Sequence, residues 1–200
     1  MADFRSEPTI GARIKLARRE RGYRTTRELA DAAPGGNITS AILENIESGR
    51  KADISVSQLL NIARALNVPP SYLLAPIGNP NSKLDLPNLS SDFDGMTAAE
   101  FDCWLSATPA SSYKPRLAAE RTDINILGTL RELGSLRREL ERLHIVLAVQ
   151  SSSGDPDLAD SNTEIQRRID NIEAEARRVA GLLTSGGLTG VVAGVATAES

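Results

Sequence analysis

An all-α protein is expected from this chain, and three observations carry that expectation. Ala, Leu, Arg and Glu dominate the composition, and they favour helices, while aromatics make up only 4% of the residues. The strand-forming runs of Val, Ile, Tyr and Phe are missing. Apolar residues instead return every three or four positions in several separate stretches, the period of a helix with one buried side. The 200 residues allow one domain or two small ones. Composition divides them into a helical part at 1–76, a linker at 77–95, a second helical part at 96–184 and a flexible tail at 185–200.

Each element has its own signals. The first helix is expected from about Ile10 to Arg21, with Ile10, Ile14, Leu16 and Ala17 as its apolar stripe and Arg13, Lys15, Arg19 and Arg21 elsewhere. Thr9 supplies the N-cap, and Gly22 ends it where a left-handed backbone is common. A second helix begins near Thr25 or Thr26, carries Leu29, Ala30 and Ala33 inward, and is broken by Pro34-Gly35-Gly36. The third is capped by Thr39 and packs down Ile42, Leu43 and Ile46. Ser40, Ala41, Glu44 and Asn45 face outward, Gly49 stops the helix, and Arg50 and Lys51 follow at once. A fourth, starting near Ser55, carries Val56, Leu59, Leu60, Ile62, Ala63 and Leu66 as the central core helix. Pro69-Pro70 ends it, and Ser71 to Leu74 reads as a last turn folding back.

These residues resemble the lambda-repressor-like (XRE, Cro/CI-type) helix-turn-helix family over residues 9–75. The resemblance is carried by Ile10-Gly11-Ala12-Arg13-Ile14-Lys15, Arg18 to Gly22, Glu28-Leu29-Ala30, Ile46-Glu47-Ser48-Gly49-Arg50 and Leu59 to Leu66. The loops after the first and third helices are each about one residue longer than is usual in the family, and Pro34-Gly35-Gly36 lengthens the turn between the second and third. The resemblance implies a five-helix domain that binds double-stranded DNA, usually as a dimer on a palindromic site. It also implies a salt bridge from Arg18 to Glu47 that braces the reading helix.

The outer face of the third helix has side chains suited to that task. A major groove admits one α-helix, and its base edges carry the full sequence code. Asn45 suits adenine, Ala41 a thymine methyl, Ser40 several bases, and Glu44 the amino group of cytosine. Phosphate anchors are expected at Thr26 and Arg27 on one side and at Thr39, Arg50 and Lys51 on the other. The plainer alternative is a solvated helix face.

The second part is organised by two seams. Leu133, Leu136, Leu140, Leu143 and Leu147 are spaced three, four, three, four within a helix expected at about 118–150. Ile165, Ile169, Ile172, Ala176, Val179 and Leu183 continue the pattern in a helix expected at about 161–184. A polar turn between them makes an antiparallel hairpin with coiled-coil-like seams. Thr97 and Glu100 form a capping box before a short helix at 97–107 that holds Trp104. That aromatic face docks on the next helix or meets a partner. The hairpin core is completed by this helix or by a second copy of the chain, and a homodimer through the C-terminal helices is favoured.

Charge and single residues limit the function. Residues 1–76 carry 11 Lys/Arg against 8 Asp/Glu, and residues 77–200 carry 12 against 18, a mildly basic head on an acidic body. With one His, one Cys and no Gly-rich phosphate loop, no catalytic constellation, metal site or cofactor is expected. His144 reads as a surface or seam residue and Cys103 as a small buried one. No signal peptide is visible at Met1 to Glu20, and a cytoplasmic protein, nucleoid-associated when DNA-bound, is expected. The Gly-rich tail, with Gly186, Gly190 and Gly194, is short for a membrane span. The leading expectation is a sequence-specific transcriptional repressor. The alternatives are an interaction protein such as an antitoxin, whose C-terminal helices bind a partner, and a membrane-tethered regulator.

Overall fold

The computed structural model describes residues 3–108, 114–115, 117–153, 156–188 and 190–191. Its named elements are all helical. The chain forms two compact units, Met1–Lys114 and Pro115–Ser200.

The first unit opens with a 3-10 turn at Phe4–Ser6, followed by α1 (Ile10–Glu20), α2 (Thr26–Ala32), α3 (Ser40–Glu47), α4 (Val56–Leu66) and α5 (Pro70–Leu74). The caps explain the boundaries. Thr9, Thr25, Thr39 and Ser55 each accept a backbone N–H in the first turn of α1 to α4. Such a cap is worth about 1 kcal/mol. Glu28 and Gln58 close capping boxes on α2 and α4. Gly22 and Gly49 adopt left-handed backbone after α1 and α3, and Asn67 does so after α4. One core joins these helices through Ile14, Ala17, Leu29, Leu43, Ile46, Ile62, Leu66 and Leu73. Two residues depart from the expected pattern: Val56 is 74% and Leu60 48% exposed, because the buried stripe of α4 runs through Leu59, Ile62, Ala63 and Leu66.

Residues 77–95, expected as a linker, fold against this core. Ala75, Ala98 and Phe101 are buried together, with Ile77, Leu84, Leu86, Phe93 and Met96 packed around them. Lys83 bridges Thr97 in antiparallel fashion, and the Ala98 and Ala99 amides donate to Ser82 and Pro80. The short helix α6 (Ala98–Leu105) belongs to the same lobe. Trp104 stands edge-on to Phe93, with ring centroids 5.1 Å apart. Phe93, in the 3-10 turn Ser91–Phe93, thus meets the aromatic face that was expected on the next helix. Cys103 is half-buried.

The second unit is the expected hairpin, of α7 (Ala118–Ser153) and α8 (Ala159–Ser185). Leu133 packs with Ala176, Val179, Ala180 and Leu183. Arg168 pairs with Glu139 at 2.7 Å, and Ser161 reaches Gln150, so the helices run antiparallel. Of the two seams, Leu133, Leu143, Ile169, Ala176, Val179 and Leu183 are buried, and the other members are half-buried. His144 is on the exposed face of α7. Most of the tail beyond Leu188 lies outside the described residues. Among the described residues, no helix is long and apolar enough to cross a membrane.

Candidate nucleic-acid interface

Helix α3 is held from behind by α1. Gly11 of α1 is buried against the backbone of Ile46 and Glu47, and a methyl at that position would collide with the Ile46 carbonyl. Glycine is the residue that allows backbones to approach this closely. Beside this contact, Arg18 and Glu47 form a two-pronged pair at 2.6 and 2.8 Å. Their side chains are only 5% and 7% exposed. The remaining Arg18 nitrogen donates to the carbonyls of Tyr23 and Arg24, which ties the α1–α2 loop to the same point. The Glu47 carboxylate holds the Arg18 guanidinium pKa above its ordinary value.

The lengthened turn before α3 is anchored too. Gly35 and Gly36 take left-handed backbone, and Ile38 is buried. Asn37 Oδ1 accepts from Asn61 at 2.8 Å, and Asn37 Nδ2 donates to Ser57 at 2.9 Å. The extra residues are thus clamped to α4, and α3 keeps a fixed entry point. Asn37 was not singled out from the sequence; an Asn after Gly-Gly reads only as a turn residue.

The outer face of α3 carries the expected residues. Ala41 and Glu44 are exposed, and Ser40 and Asn45 are half-buried. Ser40 and Glu44 are joined to α2: Thr26 Oγ1 lies 2.7 Å from Ser40 Oγ, and both hydroxyls reach Glu44 Oε1, at 3.2 and 3.1 Å. Thr26, expected as a phosphate anchor, faces the first turn of α3. Thr39 spends its hydroxyl on the cap of that helix. Arg50 Nε donates to Asn45 Oδ1 at 3.0 Å, and the Lys51 amide donates to the Asn45 carbonyl. Arg27 is exposed, with a loose contact to Asp31 at 3.9 Å. The arrangement presents a helix with a short, polar outer face, cations at its far end and on α2, and a rigid support behind.

A further arginine was missed. Arg13, expected on the polar side of α1, is fully buried. It donates to the carbonyls of Glu7, Pro8, Leu73 and Leu74, and it meets Asp85 of the lobe at 3.4 Å. Burial pushes its pKa down and Asp85 opposes this. The lobe also touches the loop that follows α3, where Asn88 Nδ2 donates to Asp53 at 2.8 Å. Among the described residues, no group of His, Cys, Asp and Glu is arranged to hold a metal ion.

Comparison with known proteins agrees with this geometry over the N-terminal part. No curated protein and no solved structure is detectably similar to the chain. A family model described as a helix-turn-helix domain matches residues 11–78. The span takes in α1 from Gly11 onward, α2 to α5, the Arg18–Glu47 brace and the whole of the α3 face. The N-terminal part of this chain is therefore a helix-turn-helix domain, a fold that points to a DNA-binding regulator.

Proposed function

We propose that the chain is a sequence-specific DNA-binding transcriptional regulator, acting as a repressor that occludes its site. Helix α3 reads the major groove through Ser40, Ala41, Glu44 and Asn45. Arg27, Arg50 and Lys51 contact phosphates on either side. The observation that carries this reading is the outer face of α3, polar and short, on a helix fixed from behind by Gly11, Arg18 and Glu47. A reading helix must keep its register on the base edges, and a braced helix does so without ordering cost on binding. The role is regulatory rather than catalytic, in the cytoplasm, and needs no cofactor.

The chain acts as a homodimer through α7 and α8. One head makes few phosphate contacts, and a second head on the adjacent half-site supplies the rest. Leu127, Leu130, Ile145, Val149 and Leu182 are exposed on the hairpin and support a partner there. The same side chains favour a second reading, in which the hairpin binds a different protein, as in an antitoxin, and DNA binding is autoregulatory.

The test is fluorescence anisotropy of the full chain on the DNA upstream of its own gene and on random duplex, across a salt series, with sedimentation of the same sample. The expected result is a preference for the upstream site, a steep salt slope, and a dimer. Equal binding to both duplexes removes autoregulation at that site, and a monomer in the bound complex removes the homodimer.

A further inference from the structure

Glu44 is an unusual group to turn toward DNA, since a carboxylate is repelled by phosphates. Its surroundings give it a specific use. Thr26 and Ser40, from the first turns of α2 and α3, bring two hydroxyls to Glu44 Oε1 while lying 2.7 Å from each other. Each hydroxyl has one proton to donate. In any arrangement that makes two of the three hydrogen bonds, Oε1 accepts at least one. The carboxylate is thereby fixed in direction, and Oε2 has no partner among the described residues.

We propose that each half-site of the DNA target places a cytosine opposite Glu44, whose fixed carboxylate accepts a hydrogen bond from the N4 amino group, with Thr26 and Ser40 as positioning residues. This rests on the DNA-reading role proposed above. The base follows from acceptor chemistry. An ionised carboxylate only accepts, so it needs a base edge that donates in the major groove. Guanine shows N7 and O6, and thymine shows O4, all acceptors. Adenine donates from N6, but its N7 acceptor lies beside it and repels the second carboxylate oxygen. Cytosine shows its amino group alone.

The test is selection of sites from a randomised duplex library by the full chain, wild type and variants, with sequencing of the bound pool. The wild type is expected to enrich a motif with cytosine at one fixed position per half-site. Glu44→Gln is expected to move that position from cytosine to adenine, because the amide both donates and accepts, and to leave the rest of the motif unchanged. Thr26→Val keeps the cap Thr25 and leaves Ser40 in place, and it is expected to weaken the cytosine preference several-fold while the other positions hold. If Glu44→Gln and Glu44→Ala return the wild-type motif unaltered, the cytosine assignment is wrong and the DNA-reading role stands. If the wild type enriches no motif, the DNA-reading role fails first, and this assignment with it.

Discussion

Two buried arginines hold the first unit together by opposite means. Arg18 is neutralised by a carboxylate, whereas Arg13 is surrounded mainly by main-chain carbonyls, with Asp85 at the edge of reach. Removing one partner of a buried pair leaves the other charge stranded, which costs about 3–5 kcal/mol. Glu47→Ala is therefore expected to lower unfolding free energy by that amount in urea titration, and Arg18→Met with Glu47→Leu to recover most of it. A loss below about 1 kcal/mol for Glu47→Ala would mean that the pair is solvated. Arg13→Met leaves the carbonyls of Glu7, Pro8, Leu73 and Leu74 without that donor, and a loss of at least about 2 kcal/mol is expected in the same titration. The two residues were not equally legible. Arg18 and Glu47 were found because a family resemblance named them as a pair. Arg13 was placed on the polar side, since its partners are backbone oxygens, which every residue has and no sequence pattern marks.

At the scale of the element, the position of α3 depends on how closely α1 approaches it. Gly11→Ala forces the two helices apart at the Ile46 carbonyl. The expected cost is about 1–3 kcal/mol, read as a lower melting temperature in circular dichroism. An unchanged melt would show that the helices have room to spare. In α4 the neighbours Leu59 and Leu60 should behave differently: Leu59→Ala is expected to cost about 2 kcal/mol or more, and Leu60→Gln within about 0.5 kcal/mol of nothing. Periodicity located α4 well, yet seven apolar residues among eleven cover more than one side of a helix, so the pattern did not say which side is buried. The starts of α1 to α4 were legible to within a residue because Thr and Ser caps carry their own chemistry, whereas α8, which has no side-chain cap, begins two residues before its expected start. The anchoring of the long turn through Asn37 was not legible, because it depends on Asn61 and Ser57, a helix away.

For the whole molecule, the lobe over 76–107 changes what the DNA-binding part is. The Pro, Gly, Asn and Ser content of residues 77–95 and their lack of periodicity suggest a linker. Leu84, Leu86, Phe93 and Met96 nevertheless pack around Ala75, Ala98 and Phe101 at irregular spacing, which neither a helical nor a strand template detects. A fragment of residues 1–76 loses this cluster, the Asp85 contact to Arg13 and the Asn88 contact to Asp53. Compared by thermal melting with a fragment of residues 1–114, it is expected to unfold at a temperature lower by several degrees. Identical melts would make the lobe a passenger. The hairpin was the most legible part of the chain, since both seams repeat over many turns and the expected helices nearly coincide with α7 and α8.

The contact between Thr26, Ser40 and Glu44 has a consequence for how such a protein diverges. The three side chains sit on two helices and share protons, so a change at any one alters the setting of the other two. A single replacement at Glu44 leaves two hydroxyls aimed at a group that is gone, and a better combination elsewhere is reached only through poorer intermediates. Ala41, which shares none of these contacts, is free to vary one step at a time. New specificities in descendants of this chain should therefore arise first at Ala41, with the other three positions changing together and rarely.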